Sequence, residues 1–164
     1  MKRQAAKFER PLKPWNRERI AHERKLMVDY GLRRKHEIWR AEAILRNFRQ
    51  NARQLVATRD KKAEALLLSK LSKLGLVRPD ATLDDVLALS TENILERRLQ
   101  TIITRKGIAT TPLQARQYIV HGHIAVDGQR VRWPGALVPV DAESKISLYE
   151  KSKLKGWISK PKGE

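Results

Sequence analysis

Between Arg98 and Val131 the chain is punctuated so closely that few folds can accommodate it. Residues Arg98 to Arg105 read as a helix, and Lys106-Gly107 breaks it. Thr111-Pro112 opens a second helix, with a Thr cap, a Pro at the first helical position, Gln114 three residues after the cap and Gly122 as the stop. Those signals predict about two to three turns. Ala115, Ile119 and Val120 form its apolar stripe, while Arg116 between Gln114 and Gln117 offers donors on another face. Beyond Gly122 the period changes to two. Ile124 and Val126 alternate with Ala125 before Asp127-Gly128, a dipeptide suited to a tight hairpin turn, and Arg130-Val131-Arg132 is the expected return strand. After a Pro134-Gly135 turn, Leu137-Val138 and Ile146 to Leu148 can add short strands. A helix pair leading into a hairpin is the expected unit, with one face for packing and another for donors.

Upstream the pattern is helical. Asn16 caps a helix to about Tyr30, where Gly31 terminates it. A longer helix is predicted over Lys35 to Thr58, because Ile38, Ala41, Leu45, Phe48, Ala52 and Leu55 repeat at three-four spacing. Arg46, Arg49 and Arg53 repeat at the same spacing on another face. Lys61 to Leu74, with Ala63, Leu67, Leu71 and Leu74 on one side, forms a third helix ended by Gly75. Thr82 with Asp85 caps a short fourth, and Ser90 or Thr91 starts the helix that enters the downstream unit. The fold class is therefore α+β: a helical amino-terminal region plus a small helix-helix-β module with short antiparallel strands. Four segments follow: a basic extended arm (1–15), the helical region (16–90), the module (91–150) and a basic tail (151–164). The arm has no apolar period and is expected to become ordered only when bound.

Charge defines the partner. The chain's 164 residues include 35 Lys+Arg against 18 Asp+Glu, a formal +17, the footprint of a polyanion ligand. Residues 1–60 hold 17 basic and 7 acidic groups, whereas 91–150 hold 8 and 6, so the ends supply much of the attraction. An arginine row is better suited to phosphate than to solvent alone, since the planar guanidinium fork matches phosphate oxygens.

Several classes are excluded or disfavoured. The absence of cysteine rules out disulfides and thiolate-zinc sites and fits a reducing cytosol. Apolar runs such as Ala65 to Leu68 are too short to cross a bilayer, so no membrane is expected. His121-Gly122-His123 places two imidazoles close together, but with only His22 and His36 elsewhere a metal site is not expected, nor any cofactor. No nucleotide-binding glycine loop, HExxH motif or cysteine nucleophile is present. Asp84-Asp85 lies in a first helical turn, where the helix dipole favours negative charge. The chain is not expected to be an enzyme. Trp15, Trp39, Trp133 and Trp157 are possible base-stacking groups, of which Trp39 flanks the apolar stripe and belongs with the core.

Residues Arg98-Leu99, then Ala115 to Gly128, then Pro134-Gly135 with the late strand at Lys145 to Leu148, resemble the RNA-binding module of small-subunit ribosomal protein four. Some pseudouridine synthases, some tyrosyl-tRNA synthetases and a heat-shock RNA-binding protein share that module. Pro14-Trp15, Ile38 to Glu42, Leu45 to Arg49 and Glu96 to Thr101 look like the archaeal and eukaryotic branch of the ribosomal family, and the resemblance then covers nearly the full length. Two departures stand out. Leu113 occupies a position where a basic residue is common, and Asp127 stands where Asn is frequent.

The resemblance implies an archaeal-type constituent of the small ribosomal subunit, cytoplasmic, that binds a multi-helix junction of 16S-type rRNA early. It further implies nucleation of the subunit body, contact with small-subunit ribosomal protein five, a place beside neighbouring proteins and mRNA at the entry channel, an effect on decoding accuracy, and no homo-oligomer. The residues assigned to RNA are Arg40, Arg46, Arg49, Arg53, Arg97, Arg98, Arg105, Lys106, Thr111, Arg116, Gln117, His121, His123 and Arg130. In this reading both imidazoles line the groove at the helix-to-strand corner. The competing readings are a nucleolar assembly factor on the same scaffold and an RNA-modifying enzyme. The latter needs a large catalytic domain for which the residues before the module are too few and too helical.

Overall fold

A computed structural model describes residues 7–152 and 154. The first six residues of the arm, Trp157 and most of the basic tail lie outside the described residues. The chain forms two compact units, residues 1–95 and 96–164.

The first unit is helical. Helix α1 (Arg17–Asp29) is capped by Asn16, whose side chain accepts from Arg19 N, and Gly31 follows it at φ 57°. Helix α2 (Lys35–Thr58) ends in Arg59 at φ 55°, whose N–H reaches Leu55 O at 2.8 Å. Ile38, Ala41, Leu45 and Ala52 are buried as the spacing requires, while Phe48 and Leu55 are only half-buried. Helix α3 (Lys61–Lys73) is capped by Asp60, and of its apolar side only Leu71 is fully buried. Helix α4 (Leu83–Ala88) carries the Thr82/Asp85 capping box. The long helix α2 touches α1, α3 and α4, which makes it the spine of this unit.

The expected arm is not free of contacts. Phe8 packs on His36 and Trp39, with ring centroids 5.4 and 5.9 Å away, and Glu9 pairs with Arg46. The sequence hides this because one aromatic needs no period to find a partner.

Helix α5 (Thr91–Glu96) starts at Thr91 and helix α6 (Leu99–Arg105) follows, with the chain extended between them. Arg98 forms a bridge with Leu137, Leu99 N donates to Ala136 O at 2.8 Å, and Val138 N donates to Arg97 O at 3.0 Å. Residues 137–138 therefore pair with this break instead of joining the sheet. Helix α7 (Pro112–Val120) begins at Thr111 as predicted. Gln114, however, reaches back to Thr110 N at 2.9 Å, one residue before the cap.

Strands β1 (Ile124–Val126), β2 (Gln129–Arg130) and β3 (Ile146–Leu148) form an antiparallel sheet in the order β2-β1-β3. Asp127 at φ 52° and Gly128 at φ 77° make the two-residue turn, so Gln129 must pair with Val126 and the return strand starts one residue earlier than expected. A short helix α8 (Val140–Glu143) precedes β3. Leu99, Ile102, Ile103, Ala115, Ile119, Ile124 and Ile146 close the core of this unit. Each buried Leu or Ile contributes about 1.5–3 kcal/mol. Val120 was expected in the stripe but is 51% exposed, while Tyr118 packs against the core.

Candidate nucleic-acid interface

The predicted cations divide sharply by what they already hold. Arg97 and Arg98 are only 9% and 6% exposed. Arg97 donates to Glu143 Oε2 at 3.0 Å and to Val138 O at 2.9 Å, so it ties α8 and the 137–138 segment to the start of α6. Burial at this level encloses both guanidiniums within the fold. The sequence does not announce this, because the acceptors of Arg97 come from more than forty residues downstream.

The arginine row on α2 is broken up in the same way. Arg46 is paired with Glu9, which lies in the arm and not on the helix. Arg49 is half-buried and donates to Leu89 O at 2.5 Å, holding the end of α4. Arg53 is exposed and shares a cleft with Glu42, Leu45, Arg46, Arg49 and Thr91. Arg40 is exposed beside the Phe8–Glu9 segment. Of this group, only the guanidiniums of Arg40 and Arg53 hold no hydrogen-bond or ion-pair partner among the described residues.

Beneath that surface Glu23 is 3% exposed and collects Trp39 Nε1 at 3.0 Å, Arg19 Nε at 2.9 Å and Lys35 Nζ at 3.0 Å. Burial pushes its carboxyl upward, but the hydrogen bonds from Trp39, Arg19 and Lys35 together outweigh that and hold it below the ordinary carboxylate value. Trp39 is thereby fixed as a structural group, as expected.

In the second unit Arg105 faces Glu96 at 3.5 Å and Lys106 Nζ donates to Glu143 O. Thr111 is exposed, and its Oγ1 is spent on the Gln114 amide at 3.2 Å. Arg116 is half-buried with an internal partner, Gln117 is exposed, and Leu113 projects at 65% exposure.

The α7-to-β1 corner is different. Gly122, at φ 77°, allows the chain to turn there without a side chain. His121 is exposed, and its ring lies 6.2 Å from that of His123 at 29°. His123 Nδ1 shares a hydrogen bond of 2.9 Å with Ser152 Oγ, and its carbonyl accepts from Tyr149 N at 2.8 Å. One ring nitrogen of His123 is thus spent on orienting the ring, so it offers RNA a single remaining nitrogen. Arg130 is exposed, with its guanidinium 5.5 Å from the centroid of the Tyr149 ring. A Cβ built at Gly122 would stand 2.9 Å from Arg130 Cδ and 3.3 Å from Arg132 Nε, which places both arginines over this glycine. Arg132 and Tyr149 escaped the sequence assignment. The period-two spacing of 130 and 132 was the available signal for the first; nothing local marks Tyr149.

Trp15 and Trp133 are 87% and 75% exposed. No group of three or more His, Cys, Asp or Glu among the described residues is placed to hold a metal ion. No helix of the described residues is long and apolar enough to cross a membrane.

A helix pair, a hairpin corner and a late strand of this order define an S4-domain protein, and the S4 domain model matches residues 97–143. The chain is 49% identical over 158 residues to small ribosomal subunit protein uS4 of Saccharolobus islandicus, covering 94% of this chain and 87% of the relative. It is 48% identical over 158 residues to the same protein of Saccharolobus solfataricus, with the same coverage. The chain belongs to the uS4 family of small ribosomal subunit proteins, in its archaeal form.

Proposed function

We propose that the protein is a primary rRNA-binding constituent of the small ribosomal subunit. It grips a multi-helix junction of 16S-type rRNA, nucleates assembly of the subunit body and contributes to translational accuracy. Its place is in the cytoplasmic small subunit, beside small-subunit ribosomal protein five and near the mRNA entry channel, as a single copy.

The observation that carries the reading is the corner at Gly122, inside the segment matched by the S4 domain model, where His121, His123, Arg130 and Arg132 gather. Donors spread over a helix, a corner and a hairpin suit the shape and backbone of folded RNA. Gln117 in the second unit, and the exposed α2 cations Arg40 and Arg53 in the first, are further contacts in this reading. Arg46 joins them only if RNA displaces Glu9, and Arg49, Arg97 and Arg98 serve by holding the fold.

The reading is non-enzymatic, in line with the ribosomal relatives. Co-sedimentation with mature small subunits in high salt tests residence in the particle, and a protein that washes off quantitatively contradicts it. Incubation with small-subunit rRNA, followed by digestion to nucleosides and mass analysis, tests the chemistry. Unchanged nucleosides are expected, and a protein-dependent modified nucleoside contradicts the scaffold reading.

A further inference from the structure

Several arginines of the described chain, among them Arg19, Arg46, Arg49, Arg97 and Arg105, are committed to internal acceptors, while others such as Arg40 and Arg53 stand exposed without one. Arg130 and Arg132 are exceptions of a particular kind, because they are placed but not spent. Neither guanidinium makes a hydrogen bond or ion pair with any side chain or backbone group among the described residues. Yet Arg130 is held on one face by the Tyr149 ring, at 5.5 Å, and along its stem by the bare backbone of Gly122. From one point above Gly122, Arg130 Nε lies 3.2 Å away and Arg132 Nε 3.3 Å away. The nearby carboxylate of Asp127 is engaged by Lys145 at 3.4 Å.

Two guanidiniums brought together without a counter-charge repel each other, and an anion between them relieves that repulsion. A guanidinium already stacked on an aromatic ring loses less freedom on binding than a solvated one. The geometry points to a two-arginine clamp for a backbone phosphate of folded RNA, formed by Arg130 and Arg132 over Gly122, with Tyr149 as the residue that positions Arg130. Nothing in the family match assigns a role to Arg132 or Tyr149; Tyr149 lies beyond the matched segment. The clamp rests on the rRNA-binding reading above and names the group recognised at its corner. A nucleobase stacked on the outer face of Arg130 is the other chemistry available to this arrangement. The converging charge favours the phosphate.

The test uses the full-length protein and transcribed small-subunit rRNA, with affinity measured across a salt series for wild type, Arg130→Ala, Arg130→Lys, Arg132→Ala, Tyr149→Leu, Tyr149→Phe and the Arg130→Ala/Tyr149→Leu double variant. Thermal melts verify that each variant is folded. Arg130→Ala and Arg132→Ala should each weaken binding about tenfold or more and lower the log-log salt slope by about one. Arg130→Lys keeps the charge but not the fork, so it should lose affinity while retaining the slope. Tyr149→Leu should match Arg130→Ala in affinity, Tyr149→Phe should restore binding, and the double variant should be no worse than Arg130→Ala alone. Additive losses in the double variant, or affinity losses in both alanine variants with an unchanged salt slope, overturn the clamp; the second pattern is that of base stacking. Wild-type binding with unaffected variants also overturns the clamp while leaving the rRNA-binding reading intact. Failure of the wild type to bind overturns both.

Discussion

Arg97 Nη1 and Glu143 Oε2 stand 3.0 Å apart, and the same guanidinium reaches Val138 O at 2.9 Å, so one buried arginine closes the loop between α6 and α8. Replacing it strands a backbone carbonyl and a carboxylate that is only 26% exposed. Arg97→Ala should therefore cost about 2 kcal/mol of stability, read by denaturant unfolding. The salt slope of RNA binding should be unchanged. A lowered slope with unchanged stability would assign Arg97 to the RNA surface instead.

Glu23 makes stability depend on pH with a defined sign. Its carboxyl is held below the ordinary value of 4.5, so its contribution is full above that value and is lost as pH falls through the lowered folded value. Glu23→Gln should be less stable than wild type at neutral pH, and the gap should narrow progressively below the ordinary carboxylate range. Parallel unfolding curves across that acid range would contradict the three-donor arrangement.

These two sites also show how far the sequence could be read. Helix starts at Asn16, Asp60, Thr82 and Thr111 lie where capping side chains bond the first turn, and that chemistry is local. The Asp127-Gly128 turn is local too, since it needs two residues at positive φ. The fates of the arginines are not local. Arg46 meets Glu9 and Arg49 meets Leu89 across 37 and 40 residues, and Arg97 meets Glu143 across 46. No spacing rule marks such pairs. The pairing at Arg97-Arg98 is equally non-local: no Gly or Pro marks the extended step, and its hydrogen bonds are supplied by residues 134–138. At the Gly122 corner, the glycine and the imidazoles were legible from the helix stop, whereas Tyr149 reaches Arg130 only through the folded sheet.

Removing residues 1–13 should lower the melting temperature by a few degrees, because it deletes the packing of Phe8 on His36 and Trp39. The Glu9–Arg46 pair adds little, being exposed on both sides. Phe8→Ala should reproduce most of the shift. A truncated protein that melts with wild type would show that the arm contributes nothing to the free fold.

Gly128 tests the hairpin without touching a neighbour. Its φ is 77°, and an added Cβ would meet nothing within 4 Å, so Gly128→Ala carries only the backbone cost of about 1–2 kcal/mol. Denaturant unfolding should show that loss, whereas an unchanged midpoint would mean that the turn relaxes to another type.

Affinity for folded junction RNA, measured against salt, tests the central claim most directly. A polycation gripping shaped RNA releases condensed counterions, so log affinity should fall linearly and steeply with log salt. At each salt concentration a folded small-subunit rRNA junction should be bound more tightly than an unstructured strand of equal length. A flat salt plot, or equal affinity for the unstructured strand, would contradict the account.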